Sequence, residues 1–311
     1  MNNLFFVIRK KMFYNLNLSL KITSIDFYLN MILIPLGFIT NLLAIKIFCK
    51  KSLNVKTNMG YKHAVLCVFN TFPLVNAILI DNILPHYNIY LMGYSECLCK
   101  ILNFWRRFAM ECPSVQQVFI TAMMLYSVKL PSKYIEFQRN KPMKKIVPAM
   151  VLILFAINIP SLIGYGLGKD PMNANKNSTS LDCFASDVLT ISVTLTTLLI
   201  EFFIPFVVMS VINRFMVKYF WKRKNFFSNT NKRRGSRKNF LMSIIIVNTL
   251  FFILYSPMAI LFLLIVIDYL KGVEVLSQTL LVSYNLTVSL SYLNNVAPFF
   301  VHLPLEHHKR R

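Results

Sequence analysis

Residues 97–131 read CLCKILNFWRRFAMECPSVQQVFITAMMLYSVKLP, and the fold turns on where this stretch is placed. It is long enough for one extended membrane helix, yet it carries Arg106, Arg107, Glu111, Gln116 and Gln117. Hydrocarbon cannot solvate such groups, so a helix this polar is tolerated in a bilayer only when other helices surround it. The stretch therefore predicts a central helix, the third of seven, with the more apolar segments packed around it.

The composition agrees. Of 311 residues, 56% are hydrophobic, 27 are Phe and only 8 are Gly, and the mean hydropathy is +0.53. That is too apolar for an ordinary soluble domain. A net charge of +22 would ordinarily raise nucleic acid as a partner. Here the basic residues sit in clusters between apolar runs, so a lipid bilayer is expected and nucleic acid is not. The six cysteines show no CxxC or Cys/His spacing, which argues against a metal site. The opening run MNNLFFVIRKK has the wrong charge order for a cleaved signal peptide.

A spanning helix needs about 20 mostly apolar residues. Outward from 97–130, such segments fall at 27–49, 63–84, 146–167, 187–217, 239–267 and 276–303. An all-α bundle of seven spans is expected, preceded by an N-terminal segment 1–26 and followed by a short tail 304–311. Of the 34 Lys and Arg, 24 lie in 46–62, 129–145, 214–238 and 309–311, and only seven on the opposite set of loops. The positive-inside rule then puts the N-terminus outside and the tail inside. The sequons at Asn17 and Asn177 both fall on the outer side, as glycosylation requires. The basic loop 222–238, KRKNFFSNTNKRRGSRK, reads either as a segment drawn to anionic lipid or as part of a docking surface.

Several ordered features resemble the rhodopsin-like G-protein-coupled receptors over roughly 27–303. Gly37 and Asn41 match the GxxxN of the family's first helix, and KKSLNVKTN at 50–58 is similar to its first inner loop. Cys99-Lys100 resembles the outer start of the third helix, and LPSKY at 130–134 the second inner loop. Pro205, Pro257 and Pro298 stand where the fifth, sixth and seventh helices bend. The resemblance implies a disulfide between Cys99 and Cys183, with Cys97 as an alternative partner. Cys49, Cys67 and Cys112 read as small buried hydrophobes.

The departures bear on switching. Met123-Met124-Leu125 occupies the family's Asp-Arg-Tyr position, Asn70 that of a sodium-binding Asp, and Tyr255 that of the Trp before the sixth-helix Pro. The seventh helix keeps Asn294 and Pro298 but lacks the Asn before Pro and the final Tyr. Ser291 replaces the chromophore lysine, which argues against an opsin. The pattern resembles divergent invertebrate chemosensory and peptide receptors, nematode ones particularly.

Arg106 lies seven residues after Cys99, about two turns along the helix. The resemblance makes this a ligand position, and a cation there favours an anionic or carbonyl-bearing ligand. The ligand set expected is Arg106, Arg107, Glu201 and Tyr255. Structural readings stand beside it: Arg107 and Glu111 form an i,i+4 pair, and Arg106 pairs with Glu201 or snorkels. Pro257 with Tyr255 reads either as a hinge or as a static kink. Asn41, Asn70 and Asn294 are expected to form an interhelical polar cluster. With Met124, Pro205, Pro257 and Pro298 they make up the expected switch set.

No HExxH, GxSxG or P-loop is present, so neither an enzyme nor a cofactor is expected. The function expected is a plasma-membrane receptor that senses an extracellular small molecule or short peptide. It would signal to a heterotrimeric G protein docked on 129–145 and 214–240. Ligand-gated channels, transporters and non-signalling receptor-like proteins remain as alternatives.

Overall fold

A computed structural model describes residues 18–49, 59–139, 143–169, 181–222, 232–270 and 278–310. The sequons Asn17 and Asn177, the loop 50–58 and most of the basic loop 222–238 lie outside the described residues. Among the described residues the chain is all-α apart from one hairpin. In order come α1 (Leu18–Cys49), α2 (Met59–Asn76) with a π-helical continuation at Ala77–Asp81, and α3 (Glu96–Lys129). A short helix Pro131–Arg139 precedes α4 (Met143–Gly164). The hairpin of β1 (Tyr165–Lys169) and β2 (Leu181–Ala185) leads to α5 (Asp187–Thr197). A second π-helical segment, Leu198–Phe203, joins α5 to α6 (Ile204–Lys222). Then follow α7 (Lys232–Leu270), α8 (Gln278–Ser291) and α9 (Leu293–Arg310).

Among the described residues, five segments are long and apolar enough to cross a membrane: Ile25–Cys49, Gly60–His86, Lys144–Gly164, Val188–Tyr219 and Met242–Ile267. The protein is therefore a multi-pass helical membrane protein that sits in a lipid bilayer. The outward faces fit that solvent. On α7, Ile246, Ile253 and Ile260 recur every two turns and are all exposed, and Leu152, Ile153 and Ile163 are exposed on α4. In water such stripes would be an association liability; against acyl chains they are at rest.

The third helix shows why polarity and burial go together. Ser95 caps α3, its hydroxyl accepting from the Leu98 N–H at 3.2 Å. Glu96 follows in the first turn, and the Lys100 ammonium at 2.6 Å holds its carboxyl below the usual range. The helix ends at Leu130, whose conformation is restricted by Pro131. Between these ends Asn103, Arg107, Glu111, Ser114, Gln116, Gln117 and Thr121 are all buried. The helix packs on α2, α4 and α6 and touches α7, while α8 and α9 close the ring back onto α1. The central placement expected of 97–130 is thus the observed one, although its polar content keeps it out of the five apolar segments.

Two boundaries differ from expectation. The first helix begins at Leu18 rather than near 27, so Asp26 lies inside it. The seventh expected span is two helices. Among the hydrogen bonds at this junction, Tyr292 N–H donates to Ser289 and Asn295 N–H to Tyr292, both one residue short of α-helical spacing. The second helix, α9, continues through the expected tail to Arg310.

Cys99 and Cys183 form a disulfide with Cα atoms 5.6 Å apart, tying β2 to the start of α3. Cys97 is free and exposed; Cys67 and Cys112 are free and buried, while Cys49 is exposed rather than buried. In the hairpin Leu167 pairs with Cys183, and Tyr165 buries against both cysteines. At Gly37 a Cβ would stand 2.6 Å from Leu74 Cδ1. The glycine of the GxxxN pattern is therefore a close approach of α1 to α2, of the kind small residues permit between membrane helices.

Candidate functional site

A cavity of about 90 Å³ opens within the bundle on its disulfide side. Arg106, Arg107 and Met110 of α3 form one wall. The α5 side supplies Val193, Thr194 and Thr197, followed by Glu201 and Phe202 from the π segment. Met258 and Phe262 of α7 lie opposite, and Tyr284, Asn285, Val288, Ser289 and Tyr292 complete the far side. Asp26 and Asn30 of α1, with Asp81 and Asn82 after α2, close the ring.

Both π-helical segments contribute to the wall of this cavity. Pro205 has no N–H, so the carbonyl of Glu201 loses the donor an α-helix would give it. The chain absorbs the loss in the wider turn Leu198–Phe203, and that turn carries Glu201. The other π segment, Ala77–Asp81, ends on Asp81. Two of the three acidic groups on the cavity wall thus sit on locally unwound helix.

The two arginines have different tasks. Arg106 Nη2 makes an ion pair with Asp81 Oδ1 at 2.9 Å, and Asn76 Nδ2 donates to the Arg106 carbonyl at 2.9 Å. Arg107 is buried, 8% exposed. Its Nη1 donates to Ser161 Oγ at 2.9 Å, its Nε to Thr197 Oγ1 at 3.0 Å and its Nη2 to the Val193 carbonyl at 2.5 Å. A planar guanidinium spreads five donors over a rigid fork, whereas an ammonium offers three from a single point. Arg107 therefore binds α3 to α4 and α5. The expected Arg107–Glu111 pair does not form: Glu111 Oε2 accepts from Asn158 Nδ2 at 2.6 Å. Nor does Arg106 pair with Glu201, because Asp81, whose reach depends on the π turn, takes that place.

Asp26 is held by hydrogen bonds. Asn82 Nδ2 donates to Oδ2 at 2.6 Å, Ser289 Oγ donates to Oδ1, and Asn30 Nδ2 donates to Ser289 Oγ at 2.6 Å. This lattice links α1, the end of the α2 segment and α8. Glu201 differs: it is 4% exposed and its Oε1 is buried without a hydrogen-bond donor.

Tyr255 does not line the cavity. It lies beneath, stacked on Phe251 with ring centroids 4.4 Å apart and 6.2 Å from Phe202. Phe202 in turn contacts Phe262 at 6.0 Å. One turn further along α7, Asn248 joins three helices. Gln117 Nε2 and Thr121 Oγ1 donate to its Oδ1 at 2.8 and 3.1 Å, and its Nδ2 donates to Asn213 Oδ1 at 2.8 Å. Asn248 and Asn213 were not singled out from the sequence; the signal was a pair of Asn residues inside apolar runs.

Of the expected switch set, Asn41 Nδ2 reaches α9, donating to the Asn295 carbonyl at 3.0 Å. Asn70 Nδ2 and Asn294 Oδ1 are buried without partners, and Asn41 Nδ2 donates to the Gly37 and Asn295 carbonyls rather than to either of them. Met124 is buried against Leu66, Ile120 and Ile244. Pro257 lies within an uninterrupted α7, Pro205 follows the π turn and Pro298 lies within α9.

No protein-family model matches the chain, and no curated protein matches it either.

Proposed function

We propose that the chain is a seven-span receptor of the rhodopsin-like kind, with its N-terminus outside and its tail inside. It sits in the plasma membrane, takes a small extracellular molecule into the cavity and signals to a heterotrimeric G protein. The G protein docks on 129–145 and 214–240, the basic ends of the spans. The observation that carries this reading is a continuous packed line from cavity to core. Phe262 and Met258 line the cavity, Tyr255 and Phe251 stack below them, and Asn248 bonds to α3 and α6. All five residues share one face of α7. A ligand that favours a different setting of Phe262 and Phe202 biases that element, and the amide cluster is where the two settings would differ.

The loss of the Asp-Arg-Tyr arginine fits this reading if Gln117, Thr121, Asn213 and Asn248 restrain the helices in its stead. The chemosensory assignment rests on resemblance, and the cavity volume favours a small molecule over a peptide.

The test is nucleotide exchange on G proteins of the native host, in cells that display an N-terminal epitope on their intact surface. Ligand-dependent exchange supports the receptor. An N-terminal epitope reached only after permeabilisation would instead favour the inverted channel reading. Correct surface display without exchange for any cue would favour a non-signalling relative.

A further inference from the structure

The charges around the cavity do not cancel. Three carboxylates (Asp26, Asp81, Glu201) face two guanidiniums (Arg106, Arg107) across the same space. Asp81 is neutralised by Arg106 at 2.9 Å. Asp26 is stabilised by Asn82 and Ser289. Arg107 donates to two hydroxyls and a carbonyl, groups that satisfy its hydrogens. Glu201 is left over: almost wholly buried, on the cavity wall, with one carboxylate oxygen lacking any donor. A buried carboxylate without a hydrogen-bond donor is costly unless it takes up a proton or meets a partner, so the bare oxygen on this wall needs an account.

The surroundings specify that partner. Phe202, Phe262, Tyr284 and Tyr292 line the same space, and ring faces attract organic cations. Tyr292 also has a buried hydroxyl without a partner, available to accept from an N–H. Among the described residues no three His, Cys, Asp or Glu side chains converge to hold a metal ion. The volume, about 90 Å³, has room for roughly three waters or one very small organic molecule.

We propose that this cavity binds a small organic ammonium, with Glu201 as its counter-ion and the aromatic walls enclosing its alkyl part. This rests on the receptor reading only for its consequence, since binding itself is a property of the cavity. It also reverses the polarity that Arg106 suggests in the sequence. With Asp81 seated on Arg106, an anion would have to displace a carboxylate already in place. A cation meets one that is waiting.

The experiment uses the full chain in lipid nanodiscs and three matched probes: n-butylammonium, n-butanol and butyrate. Thermal unfolding of the wild type and of Glu201→Gln is followed as each probe is titrated through the millimolar range. The expected result is stabilisation by n-butylammonium alone, weakened at least about tenfold in apparent affinity in Glu201→Gln. The variant keeps the side chain's shape and removes an uncompensated charge, so it should fold at least as well. Intact Cys99–Cys183 linkage, read by mass spectrometry, checks this. Glu96→Gln, at an exposed carboxylate outside the cavity, serves as a second variant, expected to retain the response. Three outcomes would overturn the proposal: butyrate stabilising as well as the amine, Glu201→Gln responding like wild type, or no probe stabilising the wild type. None involves a G protein. A protein that binds the amine but never catalyses exchange would refute the receptor reading and leave the site standing.

Discussion

Replacing Asn248 with Leu removes the amide that joins three helices while keeping side-chain volume. The substitution deletes three interhelical hydrogen bonds: those from Gln117 and Thr121 and that to Asn213. In membranes such bonds average about 0.6 kcal/mol and reach about 1.7. Three at the average give about 2 kcal/mol, close to a thirtyfold change in the folded-to-unfolded ratio. The loss should sit near that figure rather than below it, because Gln117 is buried and cannot turn to water. Reversible unfolding in mixed micelles, followed by tryptophan fluorescence, measures it. A double-mutant cycle with Gln117→Leu isolates one bond, and a coupling of roughly 0.5–1.5 kcal/mol is expected. If Asn248→Leu falls within about 0.5 kcal/mol of wild type and the coupling vanishes, the network is not holding α7. The proposed route from cavity to core then fails with it. Where the receptor reading holds, the same variant should also raise ligand-independent nucleotide exchange.

Gly37→Ala places a methyl 2.6 Å from Leu74 Cδ1 and should cost about 1–3 kcal/mol; Leu74→Ala should recover much of that loss, measured by the same unfolding assay. Arg106→Ala and Asp81→Ala should each destabilise more than the double variant does, because each alone strands a partly buried charge; equal or additive losses would show that the pair is not formed. Cys183→Ser should free Cys99 and lower stability by about 2–4 kcal/mol, while Cys97 reacts with a maleimide in both proteins; peptide mapping without reductant reads both.

The large features were legible because they follow from solvent. Polar content in 97–130 required neighbours on all sides, and α3 has them. The Cys99–Cys183 bond followed from resemblance, and Cys97, two residues before Cys99 and off that helical face, is exposed as a non-partner would be. The seventh span was read as one helix because Asn294 to Pro298 continues the apolar run. Nothing local announced the tight turn at Tyr292.

The cavity was half legible, for a physical reason. Arg106, Arg107 and Glu201 were marked because an ionisable group in a membrane helix needs an account. What each one touches depends on rotation about its helix axis, and a π turn changes that rotation. The extra residue in Ala77–Asp81 turns everything after Asn76 by about one residue, roughly 100° on a 3.6-residue helix. Counted as regular helix, the segment would aim Asp81 elsewhere, and Arg106 would look like a cation in search of an anion. With the turn in place the ion pair closes inside the protein, and the unmatched charge becomes Glu201, itself on the second π turn. Two local irregularities that no hydropathy pattern carries thus invert the sign of the site. If either π turn were regular in solution, measurable as altered amide exchange around Asp81 or Glu201, the preference for ammonium over carboxylate would invert as well.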